Sequence, residues 1–193
     1  FDFLIAAMII LLLILYHFLG QRRAKDLNNQ VFLFFAALGT MDVAAELLSN
    51  YCITSYNSEL GMTAWFLTTI FYLFQALLPY TLIFYVHTLH DHNVISIKKM
   101  LISGIPTIAL LCIVLTNPFT EKLFYFDVSG GYMTGPWYML MYYSALCHIV
   151  VALFLILNWW KELGIQRVKI LLEILFISGI GIVIQFLDNS LLT

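Results

Sequence analysis

The chain has 193 residues, of which 62% are hydrophobic and only 10% charged, with a mean hydropathy of +0.93. Soluble domains average roughly 45–50% apolar and about 25% charged residues, so a soluble globular enzyme is excluded before any motif is read. The 16 Phe, 11 Tyr and 4 Trp exclude a disordered chain, and a net charge of −2 gives no argument for nucleic-acid binding.

In chain order, the apolar runs predict six membrane spans over residues 3–19, 30–51, 63–89, 100–116, 137–160 and 170–187. Helices are expected because every backbone amide must be satisfied inside the bilayer. A membrane barrel would show strands of about ten residues with alternating polarity, and nothing here alternates. The predicted fold class is therefore all-α, a polytopic transmembrane helix bundle of about six spans forming one domain over 1–193. The chain opens at Phe1 within an apolar run, so its extreme N-terminus is expected to be missing. Residues 3–19 lack the basic flank and small-residue cleavage site of a signal peptide and read as a span. The one long connection, 117–136, carries turn signals at Asn117 with Pro118, Gly130 with Gly131, and Gly135 with Pro136.

Charge sets the orientation. Of nine Lys and Arg, Arg22, Arg23 and Lys25 fall in the first loop, Lys98 and Lys99 in the third, and Lys161, Arg167 and Lys169 in the fifth. Only Lys122 falls in an even-numbered loop. Positive loops stay inside, so the odd loops are predicted to be cytoplasmic and the N-terminus outside. Trp159 and Trp160 beside Lys161 mark an inner aromatic belt, and Tyr132, Trp137 and Tyr138 an outer one.

Three acids remain within the spans. Glu173 lies near a cytoplasmic end, whereas Asp42 and Glu46 are deep. Four residues apart, they project from one helix face, with Asp42 roughly 18 Å from the inner end. A carboxylate at that depth costs several kcal/mol unless protonated, paired or wet. It therefore points either to a polar pocket for a ligand, cation or proton, or to neutral carboxyls gluing helices together. Gln75, His148 and Gln185 lie at similar depth and are candidate partners. His148 can pair with a carboxylate or be a hydrogen-bonded core residue, and Gln185 can face Glu46 or a neighbouring helix.

Other features read as structural. Ala36, Thr40 and Ala44 in the second span, and Ser178, Gly179 and Gly181 in the sixth, allow close helix packing. Pro79 and Pro106 are expected to kink their helices. His87, His90 and His92 lack the further ligands of a convincing metal site, and Cys52, Cys112 and Cys147 suggest neither zinc nor a disulfide framework. Phosphate-loop, zinc-hydrolase, nucleophile-elbow, kinase and deaminase signatures are all missing. Catalytic residues, cofactors and metals are not expected in this chain.

The external loop is distinctive. It runs Leu115, Thr116, Asn117, Pro118, Phe119, then Leu123, Phe124, Tyr125, Phe126, Asp127, then Gly130, Gly131, Tyr132 and Gly135, Pro136, Trp137, Tyr138. This pattern resembles the external loop of the multi-pass N-terminal sensor regions on bacterial GGDEF-type diguanylate cyclases, especially in Firmicutes. Related seven-span regions precede some histidine kinases. Phe1 to Phe3, the Arg22 and Arg23 turn, Thr40 to Asp42, and Ile184 to Leu187 fit the same pattern, so the resemblance extends over essentially the whole chain. It departs in three places: the chain stops after six spans where the family has a seventh, it has no GGDEF motif, and Asp188, Asn189 and Ser190 stand where a proline is common.

The resemblance implies a signal-sensing region in the bacterial cytoplasmic membrane. An external or intramembrane small ligand would shift the bundle's population, and a seventh helix would pass the bias to a dimeric cytoplasmic output domain, a diguanylate cyclase or kinase, controlling cyclic di-GMP in the former case. With six spans Thr193 lies outside, so one further span is expected, or the protein acts without a covalent output domain. The loop 119–138 reads either as a cap over a pocket floored by Asp42, Glu46 and Gln185 or as a lid that only packs on the bundle. Two other classes stay open: a small transporter using Asp42 and Glu46 as a proton or cation site, and a structural partner subunit.

Overall fold

A computed structural model describes residues 2–20, 27–55, 61–90, 97–127 and 131–187, without the side chains of residues 97 and 184–187. The helices are α1 (Asp2–Gly20), α2 (Leu27–Thr54), α3 (Gly61–His90) and α4 (Ile97–Thr120), then α5 (Met139–Asn158), α6 (Trp160–Leu163) and α7 (Ile165–Leu187). Strands β1 (Phe124–Phe126) and β2 (Tyr132–Thr134) lie between α4 and α5. Among the described residues, five helices are long and apolar enough to cross a membrane, α1 to α5. The sixth predicted span lies on α7, whose 23 residues reach about 35 Å at the usual helical rise. The chain is a polytopic helical bundle.

Most helices overrun their predicted apolar segments, because a helix continues into the interface once its backbone bonds are propagating. The clearest case is α4. The turn expected at Asn117 and Pro118 does not end it; the helix runs to Thr120 and stops where Glu121 takes a positive φ of 52°. Glu121 N–H donates to Asn117 O at 2.8 Å, closing the last turn with a left-handed cap. Pro79 and Pro106 lie inside continuous helices. The fifth span ends at Trp159, and Gly164, with φ 79°, turns the chain from α6 into α7.

Helix α3 is the hub, packing against α2, α4 and α5, while α5 also packs against α7. Helix α1 rests on α2 through Phe18 and Phe32, whose ring centroids are 4.9 Å apart, and buries none of its own residues. Its face is therefore left to lipid. The interior divides into two apolar clusters along the membrane normal. The outer one joins Ala45, Phe71, Tyr72, Ala76 and Leu110 to Phe124, Tyr138, Met141 and Tyr142. The inner one joins Leu82, Ile83, Val86 and Leu89 to Ala152, Ile156, Leu171 and Leu175. All three cysteines are free, Cys52 buried and the other two exposed.

At the end that bears Lys99, Lys161 and Arg167, His90 Nε2 meets Glu162 at 2.6 Å and its ring stacks on Trp159 at 3.9 Å. His87 approaches the same indole edge-on, with centroids 5.3 Å apart. His87 and His90 thus tie α3 to the α5–α6 corner; His92 lies outside the described residues.

Candidate functional site

The connection between α4 and α5, predicted to be external, is a folded cap. Strands β1 and β2 pair antiparallel, with Phe124 opposite Thr134, Tyr125 opposite Met133 and Phe126 opposite Tyr132. The cap is held from below by Asn117, which is fully buried. Its Nδ2 donates to Phe124 O at 3.0 Å, and its Oδ1 accepts from Leu123 N–H at 2.7 Å. Two buried backbone groups that no helix can satisfy are met by one amide side chain. Phe124 then plugs into the bundle, stacked on Tyr72 at 5.2 Å and tilted against Trp65 at 4.7 Å. Lys122, the lone basic residue of the even-numbered loops, lies 3.9 Å from the centroid of the Trp137 ring, a cation–π contact.

Gly135 closes the cap. A Cβ there would fall 2.3 Å from Lys122 O and 2.4 Å from its carbonyl carbon, and that same carbonyl accepts from Trp137 N–H at 2.8 Å. At Gly131 the nearest atoms a Cβ would meet are those of the Asp127 carboxylate, at 3.2 Å, the far end of a side chain. Gly135→Ala should therefore cost about 1–3 kcal/mol, the usual penalty of overpacking, and Gly131→Ala less than about 0.5 kcal/mol. Thermal unfolding of the two variants in the same lipid would check this. Equal midpoints would refute the close approach at Gly135.

Beneath the cap, hydroxyls form two pairs. Tyr72 OH lies 2.6 Å from Tyr132 OH, and Tyr138 OH lies 2.8 Å from Tyr142 OH. Burial pushes the Tyr132 hydroxyl up to about 12, so it stays protonated and able to donate at any physiological pH. Tyr72 and Tyr132 border a crevice of about 20 Å³ together with Glu46, Ser49 and Thr68. That volume holds about one water. Thr68 Oγ1 donates to Ala64 O at 2.7 Å, so the Ser49 hydroxyl, 2.7 Å away, donates to Thr68.

Glu46 also borders a second and larger space. A cavity of about 260 Å³ lies among α2, α3, α5 and α7. Each helix offers one stripe at helical spacing: Phe35, Asp42 and Glu46 from α2; Phe71, Gln75, Leu78 and Leu82 from α3; Tyr142, Ala145 and Ile149 from α5; Ser178, Gly181 and Ile182 from α7. Phe71 and Tyr142 belong to the outer cluster and Leu82 to the inner one, so the cavity occupies the seam between them. Among the described residues, no Lys, Arg or His lines it. Asp42 Oδ1 is fully shut from solvent and has no hydrogen-bond partner among the described residues. A buried acceptor without a donor costs about 1–3 kcal/mol, and a bound hydrogen-bond donor or cation would relieve that cost.

Of the predicted ligand residues, Asp42, Glu46 and Gln75 therefore share one cavity. His148 does not join them. Its Nδ1–H donates to Ser144 O at 2.6 Å, which leaves Nε2 to accept from Thr107 Oγ1 at 2.8 Å. It is a buried histidine with both nitrogens satisfied, facing α4. Helix α7 reaches the cavity through Ser178, Gly181 and Ile182, while the side chain of Gln185 lies outside the described residues. In the predicted loop motif, Asn117, Phe124, Tyr132 and Gly135 build the cap. Asp127 ties its turn by accepting from Gly131 N–H at 2.7 Å, Tyr125 pairs with Met133 across the strands, and Pro118 sits in the last turn of α4. The residues that sequence reasoning missed are Tyr72 and Tyr142, which with Tyr138, read from the sequence as part of the aromatic belt and the loop motif, join cap to cavity. Their signal is present, since 138 and 142 are one helical turn apart at the outer end of a span.

A family model described as the N-terminal 7TM region of histidine kinase matches residues 3–192. The chain belongs to this family. No curated protein and no solved structure matches it. The family places the bundle and its cap in the membrane sensor region of a signalling protein. The kinase association agrees with one of the two outputs the loop motif implies.

Proposed function

We propose that this chain is the ligand-receiving membrane region of a bacterial signalling protein, seated in the cytoplasmic membrane with its cap outside. The observation that carries the reading is the cavity at the seam of the two apolar clusters, acidic on its α2 wall and mostly apolar elsewhere, with Gln75, Tyr142 and Ser178 as the polar groups of the other walls. The best-fitting occupant is a small molecule with an apolar body and a cationic or hydrogen-bond-donating head, held by Asp42, Glu46 and Gln75. Because its walls come from four helices, an occupant that fits one packing better than another shifts the population between them. Changing a 1:99 balance to 99:1 requires about 5.5 kcal/mol of differential binding, within reach of a few desolvated polar contacts. The output, a histidine kinase or a diguanylate cyclase domain of the full protein, would read the shift at the cytoplasmic end.

The test fills the cavity from its apolar side. Ala145→Trp directs an indole toward the space while leaving both acids unsubstituted. In the full-length protein it should hold output at a fixed level that no longer responds to an activating extract, while the bundle keeps its thermal midpoint within a few degrees. A variant that responds like the wild type would rule the cavity out as the receiving site.

A further inference from the structure

Helix α3 carries a proline where it faces the acidic cavity. Pro79 lines the space together with Gln75 and Leu78. A proline has no backbone N–H, so the carbonyl four residues earlier loses its helical donor. That carbonyl belongs to Gln75. In a helix each carbonyl points along the axis toward the residue four ahead, so the Gln75 oxygen lies on the wall between two cavity-lining positions. The Thr81 hydroxyl, two residues past the proline, donates to Leu78 O at 2.7 Å and does not replace the missing bond. Within a bilayer, a backbone acceptor left in this way costs several kcal/mol.

A second unmet acceptor stands across the cavity at the same depth. The consecutive helices α2 and α3 run antiparallel, and Ser49 meets Thr68 at 2.7 Å. Seven residues inward from that contact, Asp42 comes level with Gln75; seven further, Phe35 comes level with Leu82. All four line the cavity. Asp42 Oδ1 is enclosed and has no hydrogen-bond partner among the described residues, and Glu46 lies one turn outward on the same wall. Seven residues of helix are about 10 Å. Oxygen acceptors are therefore grouped toward the outer end of the cavity, with about 10 Å of mostly apolar wall beneath them.

We infer that the occupant is a primary alkylammonium ion, its head held by Asp42, Glu46 and the Gln75 carbonyl that Pro79 releases, its chain running inward between Phe35, Leu82 and Ile149. The inference rests on the reading of this cavity as the receiving site. An ammonium carries three N–H donors and no acceptor, the complement of a group of oxygens that want donors. A hydroxyl brings one donor and no charge. A quaternary ammonium brings the charge and no donor. An alkali cation would suit the oxygens and leave the apolar wall empty. Pro79 is thus a positioning residue for the site, delivering a backbone acceptor that an ordinary helix would keep to itself.

The experiment is thermal unfolding of the full-length protein in nanodiscs, titrated with three probes of equal chain length: hexylammonium chloride, hexyltrimethylammonium chloride and hexanol. Hexylammonium should raise the midpoint at concentrations about tenfold below hexyltrimethylammonium, the factor that one charge-assisted hydrogen bond supplies. Hexanol, which controls for partition into the bilayer, and sodium chloride should not raise it. Asp42→Asn should weaken hexylammonium about 30-fold. Pro79→Ala, which returns an N–H to Gln75 O, should weaken it about tenfold and leave hexyltrimethylammonium unchanged; Pro106→Ala, at a proline outside the cavity, should alter neither. Equal potency of the two ammonium probes, a rise produced by sodium chloride, or wild-type affinity in Pro79→Ala would overturn the assignment, and the probe ranking is read on the wild type without relying on a variant. Ala145→Trp separates this inference from the reading beneath it. If that variant loses the response to an activating extract while the wild type shows no hexylammonium preference, the receiving site stands and the ligand class falls. If it responds like the wild type, both fall.

Discussion

Phe124→Ala should cost about 3–5 kcal/mol, the range for deleting a buried aromatic side chain, and should release the external cap from the bundle. Phe124 is fully buried and contacts four rings, at centroid distances of 4.7 Å to Trp65, 5.2 Å to Tyr72, 6.1 Å to Tyr132 and 6.2 Å to Phe126. Two of these partners are on α3 and two on the hairpin itself. Removing the phenyl therefore cuts the docking contact and the hairpin's own aromatic packing together. Two three-residue strands are not independently stable in water, so the cap should lose its order when the plug is gone. Hydrogen exchange in nanodiscs would show amides of residues 123–135 exchanging orders of magnitude faster, while the α3 core stays protected. Phe119 is a fitting control: it is 90% exposed, and Phe119→Ala should change stability by less than about 0.5 kcal/mol. Retained protection in Phe124→Ala would mean that Asn117 alone holds the cap.

The helical part of this architecture is legible in the sequence because the bilayer imposes it through composition. A run of apolar residues long enough to span must be helical, and the sidedness of Lys and Arg orients it. The helix ends are less legible, since polar interfacial residues such as Arg167 and Lys169 continue a helix without adding to the apolar run. The cap escapes a reading by periodicity because three-residue strands are too short to show alternation. What specifies them is tertiary: the Asn117 amide, the Phe124 plug and the close approach at Gly135. Depth, too, is legible where azimuth is not. His148 shares the depth of Asp42, yet each residue turns a helix by about 100°. Ala145 and Ile149 line the acidic cavity, whereas His148 reaches Thr107 on α4. Gln75 is brought to the cavity because it continues the stripe of Phe71, Leu78 and Leu82.

Neutralising the two acids separates a binding role from a packing role, and the two predict opposite outcomes. Asp42→Asn and Glu46→Gln keep size and hydrogen-bonding capacity, so carboxyls that serve only as interhelical glue should tolerate the exchange with little change in any signalling readout. If instead they hold a cationic or donating head, removing an acceptor charge at a buried contact should cost about 2 kcal/mol or more. That is about a 30-fold rightward shift in the dose–response of the full-length protein. Asp42→Asn should give the larger shift, because Asp42 Oδ1 is fully enclosed and has no partner among the described residues, whereas Glu46 also borders the crevice beneath Tyr132. The unliganded variant should be at least as stable as the wild type, because a desolvated acid is replaced by a neutral amide. A loss of response accompanied by a lower thermal midpoint would point to damaged packing; a loss of response at unchanged or raised stability is the signature of a receiving site. An unchanged dose–response in the double variant would return both acids to helix packing and leave the signal to enter elsewhere.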